Sequence, residues 1–305
     1  MESTALQIFR DLDGWQVLAL LVKAATYGAS LGAAGGVMFL ACFAYLVSEQ
    51  EDHALRRFIA RIALLAIGFS VLRIAVMNGM LSDELSGMWD TEMTQMVLKS
   101  SEGVATGLRV ASLLIIAGLC WQRLRGIGSW ALMSAAFVTS TSFALVGHAS
   151  EVTMQFGLGL LPQMLLCLHL LAVTFWLGSL WPLHRSTYAD DIENIAVTMK
   201  RFGRLATIVV GLLIAVGVVL LWLLLEKPAA LWGTAYGQLF VIKLFCVALL
   251  LALAAMNKLR LTPQLLGGKR VTVLKLRRSI KVEIVVASLI LLATATLTTV
   301  TGPAN

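Results

Sequence analysis

Charge is scarce in this chain: Asp, Glu, Lys and Arg make up 13% of its 305 residues, whereas 59% are hydrophobic. With a mean hydropathy of +0.86, that composition excludes a water-soluble domain of this length. Alternation of apolar and polar residues is also missing, which argues against a transmembrane barrel. Cysteine is sparse. Cys42, Cys120, Cys167 and Cys246 occur singly inside apolar runs, with no Cys-x-x-Cys pair, so they read as small buried hydrophobes rather than disulfide or redox partners. Histidine is equally sparse, with four in the whole chain. No Walker motif and no phosphorylatable-Asp signature is present, so ATP-driven pumping is not encoded. A cleavable signal peptide is not expected, because Met1–Asp13 carries three acids and one Arg ahead of the first apolar run.

Long apolar runs dominate what is present. About 20 residues cross a hydrocarbon core about 30 Å thick as a helix. Eight runs meet that length, near Trp15–Val47, Ile59–Leu81, Val104–Trp121, Ser129–Ala149, Pro162–Leu183, Arg204–Leu225, Gly237–Met256 and Val282–Thr301. The expectation is an all-α, polytopic helical bundle forming one membrane domain over residues 1–305. Loops 48–58, 122–128, 184–203 and 257–281 hold 15 of the 24 Lys and Arg, while the other side holds three and the spans six. The positive-inside bias puts the basic loops in the cytoplasm and both termini outside. The net charge of +7 is mostly this excess. It gives no support to nucleic-acid binding, although the basic stretch 257–281 can touch anionic lipid.

On the outer side, loop 82–103 is acidic and rich in methionine. Met77, Met80, Met88, Met93 and Met96 lie within twenty residues. Thioethers are soft ligands that favour Cu(I), although methionine also simply fills gaps in helical bundles. Met77 and Met80 are three residues apart on one helical face, with Arg73 four before Met77. In the fifth span, His169 shares a face with Pro162, Leu165 and Trp176, whereas Met164 and Cys167 point away. His148 ends the fourth span, and a twelve-residue loop carrying Met154 separates it from the fifth. A connection that short makes antiparallel neighbours, which brings His148 and His169 to one outer region. Two imidazoles with thioethers make a reasonable copper site, and hydrogen-bonded structural histidines are the alternative. His184, fifteen residues after His169, can serve the inner end or be a snorkelling residue.

Four cations, Lys23, Arg73, Arg109 and Lys243, lie in the outer halves of spans. Intramembrane charge needs a partner or a wet cavity. Loop carboxylates, helix C-terminal carbonyls or an anionic cofactor can each supply one. Glu283, the acid within a span, enters at the opposite edge and is a poor partner for Lys243.

These residues carry a resemblance. Gly147-His148-Ala149, His169-Leu170-Leu171-Ala172 with Trp176-Leu177-Gly178, and Arg201-Phe202 are followed by Tyr236-Gly237 with Lys243-Leu244. Asn257 with Pro263, then Arg277-Arg278-Ser279 and Glu283, complete the series. In order and spacing, the chain from about Ser140 to Pro303 resembles the copper-resistance protein D family of bacterial inner membranes. Residues 1–139 match it in span layout more than in motif. The resemblance implies a non-enzymatic role in copper homeostasis and resistance. That role is movement of copper from periplasm to cytoplasm, often beside a small periplasmic copper-binding partner. His148, His169 and Trp176 stand on matched positions. Met77, Met80, Met93, Met96 and Met154 rest on ligand chemistry alone, and His184, Arg73, Arg109 and Lys243 would flank the path. Two other readings stay open. One is a redox protein binding haem b or quinone, with His148 and His169 as ligands and cations holding propionates. The other is a scaffold for a periplasmic copper carrier.

Overall fold

The structure, a computed structural model, describes residues 10, 12–122, 126–146, 160–189, 191–224 and 234–299. The described residues form helices and turns only. In chain order the helices are α1 Gly14–Phe43, α2 Glu49–Ser82, α3 Thr91–Lys99, α4 Ser101–Leu119, α5 Ile127–Thr141, α6 Leu161–Ser186, α7 Ile192–Leu224, α8 Ala235–Met256, α9 Thr262–Leu266 and α10 Val271–Leu297. Seven described helices are long and apolar enough to cross a membrane, namely α1, α2, α4, α6, α7, α8 with its continuation to Leu266, and α10. This is the build of a multi-pass membrane protein. The expected count was eight. The missing one is α5, whose 15 residues pass into a 3-10 turn over Ser142–Leu145; the remainder of the expected span, 147–149, lies outside the described residues. Ser112 Oγ meets Thr139 Oγ1 at 2.7 Å, and Arg109 Nε donates to Ser142 Oγ at 3.1 Å. Those two contacts run α5 antiparallel to α4.

Most helices overrun the apolar runs at their basic ends. α2 starts ten residues before the expected span, because Ser48 caps it through Glu51 N and three acids (Glu49, Glu51, Asp52) sit in its first turn. α7 and α10 likewise start well before Arg204 and Val282. The outer stretch 82–103, expected as a loop, is largely helical. Asp90 accepts from the backbone of Glu92 and Met93 to start α3, and Ser100 caps α4. Asp83, at φ 55° in the left-handed region, ends α2.

α1 is the hub, packing on α2, α4, α5, α6 and α10. Its crossing with α6 is a backbone contact. A Cβ on Gly35 would overlap Thr174 O and Gly178 Cα, and one on Gly178 would overlap Gly35 and Leu31 O. Glycine at both positions lets the two backbones approach, a common solution where lipid supplies no hydrophobic drive. Around this crossing the core holds Phe39, Phe43, Phe175, Trp176 and Phe202.

The basic segments gather at one end. Arg56 donates to Gln122 O at 3.3 Å, Arg201 to Tyr45 Oη at 2.6 Å, and Arg277 to Thr187 O at 2.8 Å; Lys258 bonds Thr207. At the other end Lys23 reaches Thr298 O at 2.7 Å, and Asn78 reaches Thr94 Oγ1 at 2.8 Å.

Candidate functional site

His169 sits on α6, a helix started by Pro162 in its first turn, where a missing N–H costs nothing. Its imidazole lies against Gly217 of α7: a Cβ there would stand 3.7 Å from His169 Cε1 and 3.9 Å from Nδ1, an ordinary contact. His169 Nδ1 is buried with no hydrogen-bond partner. Lys243 of α8 acts on the ring electrostatically, and its ammonium also lies 5.9 Å over the Phe240 ring. Pro162 and Trp176 are buried, and Met164 is 66% exposed.

His148 and Met154 lie outside the described residues, so the convergence of His148 with His169 is not visible here. The segments on either side are. Gln163 Nε2 donates to Ala144 O at 3.5 Å, which sets the start of α6 beside the end of the turn that follows α5. His169 is six residues further along α6, roughly 9 Å at 1.5 Å per residue.

The methionines are dispersed. Met77 and Met80 are 36% and 40% exposed on the outside of α2, and Met96 is 69% exposed on α3. Met93 is half-buried on the inner face of α3 beside Val97. Met88 packs with Trp15 over Gly79, as a gap filler does. Arg73 shares a face with Met77 by spacing alone. Its guanidinium turns inward, with 16% of the side chain exposed, onto Glu102.

The outer cations have partners inside the protein. Arg73 Nη1 lies 2.8 Å from Glu102 Oε1, close enough for an ion pair though not aligned as a hydrogen bond. Lys23 takes the carbonyl of Thr298, just past the end of α10. Arg109, fully buried, bonds Ser142 and lies 3.9 Å over the Phe143 ring, which meets Tyr27 edge-on. A loop carboxylate and a helix C-terminal carbonyl, two of the three sources the sequence left open, thus supply counter-groups. With these in place, propionates are no longer needed to explain Lys23 and Arg73. Arg109 Nη1 and Nη2 remain without hydrogen bonds.

At the basic end, His184 stacks edge-on with Tyr188 at 5.5 Å, and Lys281 and Arg277 act on it electrostatically. Arg277 lies 3.6 Å over the Tyr188 ring. Glu283 of α10, 4% exposed, accepts from the Asn257 amide. Asn257 opens a π-helical turn, Asn257–Leu261, between α8 and α9. Such turns recur at functional sites. The sequence flagged both residues without pairing them, because a π-turn leaves no periodic signature in a five-residue stretch. Among the described residues, no group of three or more His, Cys, Asp or Glu is placed to hold a metal ion.

Two family profiles match the chain. The profile for copper resistance protein D covers residues 196–297, and the profile for the copper resistance protein D-like N-terminal domain covers 12–154. His148 falls in the second match; His169 and Trp176 fall between the two. No match to the chain emerges among the curated proteins or the solved structures. The two profiles together span about four-fifths of the sequence. The chain belongs to the copper resistance protein D family.

Proposed function

We propose that this protein carries copper across the bacterial inner membrane, from periplasm to cytoplasm, without catalysing a reaction, and so contributes to copper homeostasis. Family membership supports copper as the cargo. The observation that carries the site assignment is His169 Nδ1, a buried imidazole nitrogen with no partner, lying against Gly217 of α7. A buried polar atom left unpaired costs about 1–3 kcal/mol. A soft metal ion taken from solution would offset that cost while bound. His148 and Met154 are the other donors proposed for the outer site. Met77, Met80 and Met96, dispersed and exposed, with the half-buried Met93, suit first capture of copper from a small periplasmic carrier better than a shared coordination sphere. Trp176 buttresses the His169 face.

On this reading α5 with its 3-10 turn and the following residues makes an eighth crossing, and both termini face the periplasm. The inner path runs toward His184, where Arg277 and Lys281 repel a bare cation and favour its departure. With no ATP-hydrolysing motif in the sequence, movement is passive, ion-coupled or driven by a partner. Copper uptake by cells expressing His148→Ala and His169→Ala tests the proposal. Each substitution is expected to cut uptake at least tenfold at unchanged protein level. Wild-type uptake in both would remove the site.

A further inference from the structure

The basic end of the bundle holds a feature that copper movement does not use. Arg57 and Arg61 of α2 and Arg185 in the last turn of α6 line one cavity of about 330 Å³, whose apolar wall is the Phe58–Trp181 pair. Those two rings stack with centroids 3.3 Å apart and planes 7° from parallel. A second cavity of about 420 Å³ shares Arg57 and adds His53 and Trp121. All three arginines are exposed. Among the described residues none has a carboxylate within ion-pair distance, since the two ion pairs present are Arg56–Asp52 and Arg73–Glu102. Arg57 Nε bonds only the carbonyl of His53 on its own helix, at 3.3 Å. Three guanidinium groups lining one recess, with no carboxylate among them, make it a site that favours an anion.

Depth identifies the anion. α2 has 34 residues, or about 51 Å at 1.5 Å per residue, against a hydrocarbon core of about 30 Å. From the residue after Arg61 to the end of α2 the stretch contains one charge, Arg73, and is about 31 Å long. Arg61 therefore stands at the hydrocarbon boundary, with Arg57 one turn above it in the headgroup layer. Below Arg61 on the same side of the helix, Leu64, Leu65 and Leu72 are 52%, 54% and 38% exposed. Cations in the headgroup layer, an aromatic wall beside them and an aliphatic track beneath match one kind of molecule from head to tail. Trp121 and Trp181 at this level fit the interfacial position tryptophan favours.

We infer that this recess binds the phosphate headgroup of an anionic phospholipid, with the acyl chains lying along the exposed leucines of α2. The lipid would bridge α2 to α6, the helix that carries His169, at the end opposite the proposed copper site. The inference does not depend on copper being the cargo.

Native mass spectrometry of the full-length protein in detergent, titrated with phosphatidylglycerol and separately with phosphatidylcholine, tests it. The wild type is expected to retain phosphatidylglycerol preferentially. The triple variant Arg57→Gln, Arg61→Gln, Arg185→Gln should lose that preference by on the order of a hundredfold, taking a factor of about five per basic residue. Arg57→Gln alone, shared by both cavities, should lose about fivefold and decides the matter if the triple variant does not fold. A control triple, Lys269→Gln, Arg270→Gln and Lys275→Gln, removes the same charge from exposed positions in the basic stretch 257–281, where any lipid contact is surface charge alone, and should keep the preference. An unchanged preference in the Arg57 variants overturns the inference. So does an equal loss in the control, which would mean general surface charge. Displacement of the lipid by excess inorganic phosphate would mean a soluble-anion site and overturns it too.

Discussion

Glu102 shows how one residue can make an intramembrane cation tolerable. It sits in the first turn of α4, where the helix dipole favours a carboxylate, and from there it meets Arg73 with 11% of its side chain exposed. Glu102→Gln leaves the guanidinium without a counter-charge, so a loss of roughly 3 kcal/mol is expected in detergent unfolding experiments. Arg73→Gln in the same background should restore part of it. An unchanged melting temperature for Glu102→Gln would show that Arg73 is compensated elsewhere. Gly217 acts by its small size. Alanine there meets His169 at an ordinary contact distance of 3.7 Å and should be tolerated, whereas Gly217→Leu drives a bulkier side chain against the imidazole. Copper binding by purified Gly217→Leu is expected to fall severalfold with the helical content intact; unaltered binding would separate His169 from the metal.

At the scale of elements, the α1–α6 crossing is the contact on which the bundle turns. Gly35→Ala and Gly178→Ala each force a Cβ into opposing backbone, which cannot move aside as a side chain can. Both should lower the yield of monodisperse protein sharply. Gly211→Ala, with open space around its Cβ, should be neutral or gain up to about 1 kcal/mol. Equal behaviour of all three would mean that α1 and α6 do not meet as described. The apolar runs were legible in the sequence, because about 20 lipid-facing residues leave an unmistakable hydropathy signal. Their helical extensions were not. The first turns of α7 and α10, ahead of Arg204 and Val282, and the stretch 82–103 are more polar than the apolar runs, and their helicity rests on caps such as Asp90 and on packing between elements far apart in sequence. The candidate site was legible to the same limit. Spacing along α6 placed His169 and Trp176 on one face, but no periodicity reveals that this face meets Gly217 of α7 and Lys243 of α8. The inward turn of Arg73 onto Glu102, against its spacing with Met77 and Met80, was hidden for the same reason.

For the whole molecule, basic residues of the segments 48–58, 184–203 and 257–281 meet at one end. Reporter fusions at the two termini should both read as periplasmic if α5 and the residues after it complete an eighth crossing. Opposite readings for the two ends would leave seven. The account as a whole stands on copper crossing the membrane by way of His169. The most direct test is copper accumulation inside proteoliposomes containing purified wild-type protein, with His169→Ala reconstituted to the same density. The account predicts copper-dependent filling by the wild type, reduced at least tenfold by His169→Ala. With a proton gradient imposed across the vesicles, filling at equal rates by both would contradict it.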